Sequence, residues 1–180
     1  MLPDLKLRHM GMFVWDIEKM SQFYQEVLGF LVTDKGFVRD HDVVFLSRDP
    51  KSHHQLVMET GRPPGSGPGY GLQQISFQVT ALKDLRVMHD LVSARNDVTL
   101  IQAVDHGNSW SLYFRDPEVN RVEIYLDTPW HVDQPYLDTL DLSLSDEAIH
   151  QVTEQRLHDN PSRKPMLQWQ HEMTERITPP

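Results

Sequence analysis

Apolar side chains alternate with polar or small ones over residues 7–14 (LRHMGMFV) and again over 72–79 (LQQISFQV). A period of two predicts a strand in each place. Both runs then give way to helical spacing. Asp16 opens the first helix as an N-cap, Met20, Phe23, Tyr24, Val27 and Leu28 share one face, and Gly29 ends it. Thr80 is expected to open the second, with Leu82, Leu85, Met88, Leu91 and Val92 on one face. Three strand-like runs follow each helix, at 30–33, 43–47 and 54–58 in the first half and at 98–103, 111–114 and 122–126 in the second. A β-α-β-β-β unit therefore occurs twice, and the fold class is α+β. The two opening strands align without a gap, and the closing run 55–60 (QLVMET) aligns on 123–128 (EIYLDT). Between the halves, GRPPGSGPGYG at 61–71 reads as a linker.

Residues 129–180 match neither half. From Asp127 onward there are ten acidic and four basic residues, and six of the twelve prolines. Only 146–157 reads as a helix, capped by Ser145 and carrying Ile149, Val152, Thr153 and Arg156 on one side. This segment is expected to be an appended extension, laid over the core or across a partner subunit. A solvated, partly disordered tail is the competing expectation.

Composition narrows the function. The chain has 180 residues, enough for one domain or two small half-domains sharing a core. No run approaches the roughly 18 apolar residues of a membrane span. The opening MLPDLKLRHMGMF lacks the pattern of a secretory signal. Zero cysteines exclude disulfides, iron–sulfur clusters, zinc fingers and thiol nucleophiles, and a cytoplasmic location is the default expectation. A formal net charge of -9 argues against nucleic acid and anionic membrane as partners. Ten histidines leave imidazole and carboxylate as the natural metal ligands.

The repeat makes His9 the mate of Gln74, and Gln55 the mate of Glu123. These four polar residues interrupt apolar strands. In a two-fold arrangement they would converge, and a divalent metal would serve as a shared partner for buried polar groups.

Three segments, LRHMGMFVWDIEKMSQFYQEVLGF, HHQLVM and DHGNSWSLYFRDPEVNRVEIY, together with the doubled module, resemble the vicinal oxygen chelate superfamily over roughly residues 5–128. Glyoxalases, epimerases, fosfomycin-resistance proteins and type I extradiol ring-cleaving dioxygenases belong to it. The resemblance implies modules 5–60 and 71–128 within a domain 1–128, an open U-shaped barrel around a metal, and an extension 129–180. The pattern is nearest to the extradiol dioxygenases. That likeness implies a mononuclear metal held by His9, Gln74 and Glu123, with Fe(II) first and Mn(II) or another divalent ion as alternatives. Gln74 stands where those enzymes carry a second histidine.

The same likeness makes His54 the acid–base residue, with His106 and Tyr113 binding substrate oxygens. It implies a catecholic aromatic diol and O2 as substrates and a homo-oligomer as the assembly. A metal-dependent isomerase or lyase using His9, Gln55, Gln74 and Glu123 is the alternative, and a non-catalytic ligand-binding protein is the third. Plainer roles stand beside these. His106 doubles as a hairpin-turn residue, Tyr113 as a core residue and Gln74 as a simple hydrogen-bonder. His53 reads as surface, Asp116-Pro117 as the turn before the last strand, and Trp15, Trp110 and Trp130 as pocket lining or packing.

Overall fold

A computed structural model describes residues 6–70 and 72–177. The first module runs β1 (Met10–Val14), α1 (Ile17–Leu28), β2 (Leu31–Val38), β3 (His41–Ser47) and β4 (Leu56–Thr60). The second runs β5 (Ile75–Gln78), α2 (Leu82–Ser93), β6 (Thr99–Asp105), β7 (Ser109–Arg115) and β8 (Arg121–Asp127). The remaining elements are β9 (Trp130–His131), β10 (Asp138–Thr139), α3 (Asp146–Leu157), β11 (Lys164–Pro165) and α4 (Met166–Ile177). The doubled β-α-β-β-β plan is present, and each module forms an open sheet. The first sheet has the order β1-β4-β3-β2 and the second β10-β6-β7-β8-β5. Among the described residues no helix is long and apolar enough to cross a membrane. Two compact units divide the chain, one from Met1–Gln74 with Arg115–Arg121, the other from Ile75–Phe114 with Val122–Pro180.

In the first unit, Asp16 caps α1 as its residue type predicts, accepting from the Lys19 N–H at 3.0 Å. Gly29 closes the helix at φ 67, where its N–H reaches the Gln25 and Tyr24 carbonyls. Met20, Phe23, Tyr24, Val27 and Leu28 are buried with Met12, Val14, Leu46, Leu56 and Met58. The unit is closed by polar groups as well. Glu118, 4% exposed, accepts from the backbone N–H of Trp15 and of Asp16 at 2.8 and 2.7 Å. Arg62, 3% exposed, donates to the Glu118 carbonyl, the Asn120 side-chain oxygen and the Gly67 carbonyl. Its guanidinium lies 3.5 Å from the Glu118 carboxylate and covers the Trp15 ring at 4.1 Å.

Asp116-Pro117 is a turn, as expected. The Asp116 carboxylate accepts from the N–H groups of Glu118 and Asn120 and from the Asn120 amide. Burial pushes Asp116 above the usual carboxylate range despite these bonds. Burial, with the Asp116 charge second, also pushes the Tyr24 hydroxyl far up, so it stays a donor to Asp116.

In the second unit, the cap of α2 is Ala81 and not Thr80, and no side chain bonds the first turn. Burial of Leu82, Leu85 and Val92 holds this helix in place of a cap, whereas Leu91 is 38% exposed. Ser145 caps α3 as predicted, accepting from the Ala148 N–H. The extension packs on the second module. Ile149, Thr153 and Leu157 are buried, and the Thr153 hydroxyl donates to Asp105 at 2.6 Å and accepts from the Trp110 indole at 2.9 Å. Arg86 of α2 binds the Leu142 and Leu144 carbonyls and the Asp146 carboxylate. Helix α4 was not legible in the chain: it buries no side chain completely, and its Trp169 stacks on His131 at 5.0 Å.

Gly107 makes the β6–β7 turn at φ 73, and a Cβ there would stand 2.6 Å from a Val132 methyl carbon. Gly107→Ala is expected to destabilise the protein by about 1–3 kcal/mol, from left-handed backbone plus overpacking. A urea midpoint equal to that of the parent protein would show that the turn relaxes at no cost.

Candidate functional site

Strand alternation sorts the second sheet into two faces. Trp110, Leu112 and Phe114 of β7 and Val122 and Ile124 of β8 make the buried apolar face. The other face carries Ser76 and Gln78 of β5, Ser111 and Tyr113 of β7, and Glu123, Tyr125 and Asp127 of β8. Glu123 is 7% exposed although both its chain neighbours are apolar. Parallel pairing sets Ser76 opposite Glu123, and the Ser76 hydroxyl donates to one carboxylate oxygen at 2.5 Å. The Tyr113 hydroxyl donates to the other at 2.5 Å. The same hydroxyl lies 2.9 Å from His106 Nε2, and His106 Nδ1 lies 2.9 Å from the Tyr136 carbonyl oxygen. His106, Tyr113 and Glu123 are therefore brought into one hydrogen-bonded chain. His106 is also a turn residue between β6 and β7. Ser111 is fully buried on this face, with its hydroxyl unpartnered among the described residues.

A second cluster lies in the first unit. His9 directly precedes β1, and its ring centre is 4.4 Å from that of His54. His54 Nδ1 is 2.9 Å from His53 Nδ1, and His53 Nε2 is 2.8 Å from the Asp34 carboxylate. A carboxylate only accepts, so this contact draws the His53 proton to Nε2. When the His53 ring carries this one proton, its Nδ1 accepts, His54 donates from Nδ1, and His54 Nε2 is left as the basic nitrogen. Burial first, then the His9 and His53 charges, hold the His54 imidazole below its ordinary value. His53, read from sequence as a surface residue, thus orients His54. Asp34 gave no signal at all, because it meets His53 only through folding of β2.

Gln74 stands immediately before β5, as His9 stands before β1. Gln55 does not hold the place expected of it. The ladders pair Met10 with Leu56 and Ile75 with Val122, so Val57, not Gln55, is the register mate of Glu123. The Gln55 side chain instead accepts from the Arg48 N–H at 2.9 Å. Gln55 is thus two residues away from the repeat position of Glu123. Within either unit, among the described residues, no three His, Asp or Glu side chains gather into a metal site. Of the tryptophans, Trp110 is core and Trp15 packs beneath Arg62.

Two α+β modules of one plan, with a polar strand face around a buried glutamate, define a class of twin-module proteins. The chain belongs to the Glyoxalase/Bleomycin resistance protein/Dioxygenase superfamily, whose family model matches residues 6–124. It is 30% identical over 128 residues to biphenyl-2,3-diol 1,2-dioxygenase 3 of Rhodococcus globerulus, covering 68% of this chain and 63% of the relative. Biphenyl-2,3-diol 1,2-dioxygenase 2 of the same organism is 25% identical over 125 residues, with the same coverage. The chain thus spans less than two thirds of the length of these relatives. In fold it is similar to a glyoxylase/bleomycin resistance protein/dioxygenase domain from Frankia sp. EAN1pec, with TM-score 0.58, 21% identity, and coverage of 70% of this chain and 100% of that one. The fosfomycin resistance protein FosX of Listeria monocytogenes, complexed with Mn(II) and sulfate, superposes with TM-score 0.52 at 16% identity, covering 71% and 95% of the respective chains.

Proposed function

We propose that this protein is an extradiol-type ring-cleaving dioxygenase acting on a catecholic aromatic diol with O2, with His9, Gln74 and Glu123 as the ligands of a mononuclear Fe(II). The donor chemistry fits. Imidazole nitrogen, amide oxygen and carboxylate oxygen suit a divalent first-row ion, and there is no sulfur to favour a softer one. Outer-shell partners characteristically orient a ligating carboxylate, and Ser76 and Tyr113 do this for Glu123. A bound iron would supply the meeting point and electron exchange for diol and O2. Likeness to two proteins named for biphenyl-2,3-diol cleavage favours a ring diol as substrate.

The observation that carries the reading is the chain His106–Tyr113–Glu123. A hydroxyl set between an imidazole and a buried carboxylate can donate to a substrate oxygen and be reprotonated from its neighbour. His54, with Nε2 as its basic nitrogen, is suited to take a proton from the diol and return it to the opening ring. The test is anaerobic reconstitution with Fe(II), followed by oxygen uptake on catechols. Ring cleavage with stoichiometric O2 consumption is the expected result. Tyr113→Phe should retain iron while turnover falls about 10²–10⁴-fold, the range for a lost proton-transfer group. Iron bound without oxygen uptake, or a Tyr113→Phe variant as fast as the parent, would reject the assignment.

A further inference from the structure

We propose that the C-terminal extension sets the tautomer of His106: the Tyr136 carbonyl, tied in place by the Gln134 side chain, holds the imidazole proton on Nδ1 and leaves Nε2 bare toward the Tyr113 hydroxyl. A carbonyl oxygen can only accept, so its 2.9 Å contact with His106 Nδ1 requires an N–H there. A neutral imidazole has one N–H, and Nε2 is then an acceptor. The Tyr113 hydroxyl stands between two acceptors, His106 Nε2 at 2.9 Å and the Glu123 carboxylate at 2.5 Å. It donates to one at a time, so its proton can turn between them without leaving the chain of contacts.

Gln134 makes this arrangement stiff. Its amide N–H donates to the His106 carbonyl at 2.9 Å, and its amide oxygen accepts from the Tyr136 N–H at 3.0 Å. One exposed side chain thus clasps both ends of the contact. Val132, fully buried beside the Gly107 turn, fixes the start of the same segment. Gln134 and the Tyr136 backbone are positioning residues. They give residues after 128 a part in holding a side chain of the second module.

The proposal rests on the reading above for its use in catalysis, but the contact itself does not. It is tested on the full, metal-free chain with 15N-labelled histidine rings, by long-range proton–nitrogen correlation at about pH 8, above ordinary imidazole titration. The His106 signal is assigned by its loss in His106→Gln. A pure Nδ1–H pattern is expected in the parent protein. In Gln134→Ala the ring should shift toward the Nε2–H form that free histidine prefers, while the other histidine signals and the urea midpoint stay in place. Gln134→Glu keeps the acceptor for the Tyr136 N–H and should retain more of the parent pattern. An Nε2–H pattern in the parent, or a His106 signal unmoved by Gln134→Ala, overturns the proposal. No metal, substrate or turnover enters this measurement, so its failure and that of the dioxygenase assay are separate results.

Discussion

Glu123→Ala is expected to lower Fe(II) affinity by more than about 100-fold and to abolish ring cleavage, while the chain still folds. The scale follows from outer-shell substitutions, which alone cost about 10–100-fold in affinity or activity. The Glu123 carboxylate is held by two hydroxyls, those of Ser76 and Tyr113. Its loss removes a charged donor and leaves both hydroxyls without that acceptor. Anaerobic calorimetric titration with Fe(II), beside urea unfolding of the metal-free protein, separates the effect on metal from the effect on folding. A variant that binds iron as the parent does would remove Glu123 from the ligand set. The assignment of function would go with it.

The largest effect on folding is expected at Glu118, a residue remote from any proposed chemistry. Glu118→Ala should cost about 3–5 kcal/mol, the range for breaking a buried ion pair on one side. The Trp15 and Asp16 N–H groups would lose their acceptor, and the Arg62 guanidinium would lose its charge partner while keeping the carbonyls of residues 118 and 67 and the Asn120 oxygen. Both N–H groups lie at the start of α1, and the guanidinium, itself buried, lies over the Trp15 ring. Arg62→Met should be less damaging in a Glu118→Leu background than alone, because neighbours in one network are not additive. Equilibrium urea unfolding of the parent, the Glu118→Ala variant, the two single variants of this cycle and their double variant measures this. A loss below about 1 kcal/mol for Glu118→Ala would mean that solvent replaces the pair freely.

Much of the architecture was legible because it is local. The Asp16 and Ser145 caps, the αL glycine after α1 and the apolar face of α1 all act within a turn of their own position. The repeat was legible because two modules of one plan need the same alternation. Thr80 misled because a good capping residue one position early cannot outweigh where Leu82 and Leu85 are buried. Helix α4 was missed because MLQWQHEMTERI opens directly after Pro165 without a capping side chain and buries no residue completely.

Of the candidate site, the chain alone revealed the polar residues set in or beside apolar runs: His9, Gln74 and Glu123, with His54, His106 and Tyr113 nearby. Tertiary structure alone decided who touches whom. Asp34 reaches His53 across two strands, Glu118 reaches Arg62 over 56 positions, and Tyr136 reaches His106 from the extension. It also decided that Val57 and not Gln55 holds in the first module the ladder position that Glu123 holds in the second. The physical reason is the pleat. A strand displaced by two residues keeps every apolar side chain on its own face, so hydrophobic pattern cannot sense the shift. Only the hydrogen-bond ladder, formed between segments far apart in the chain, selects the register.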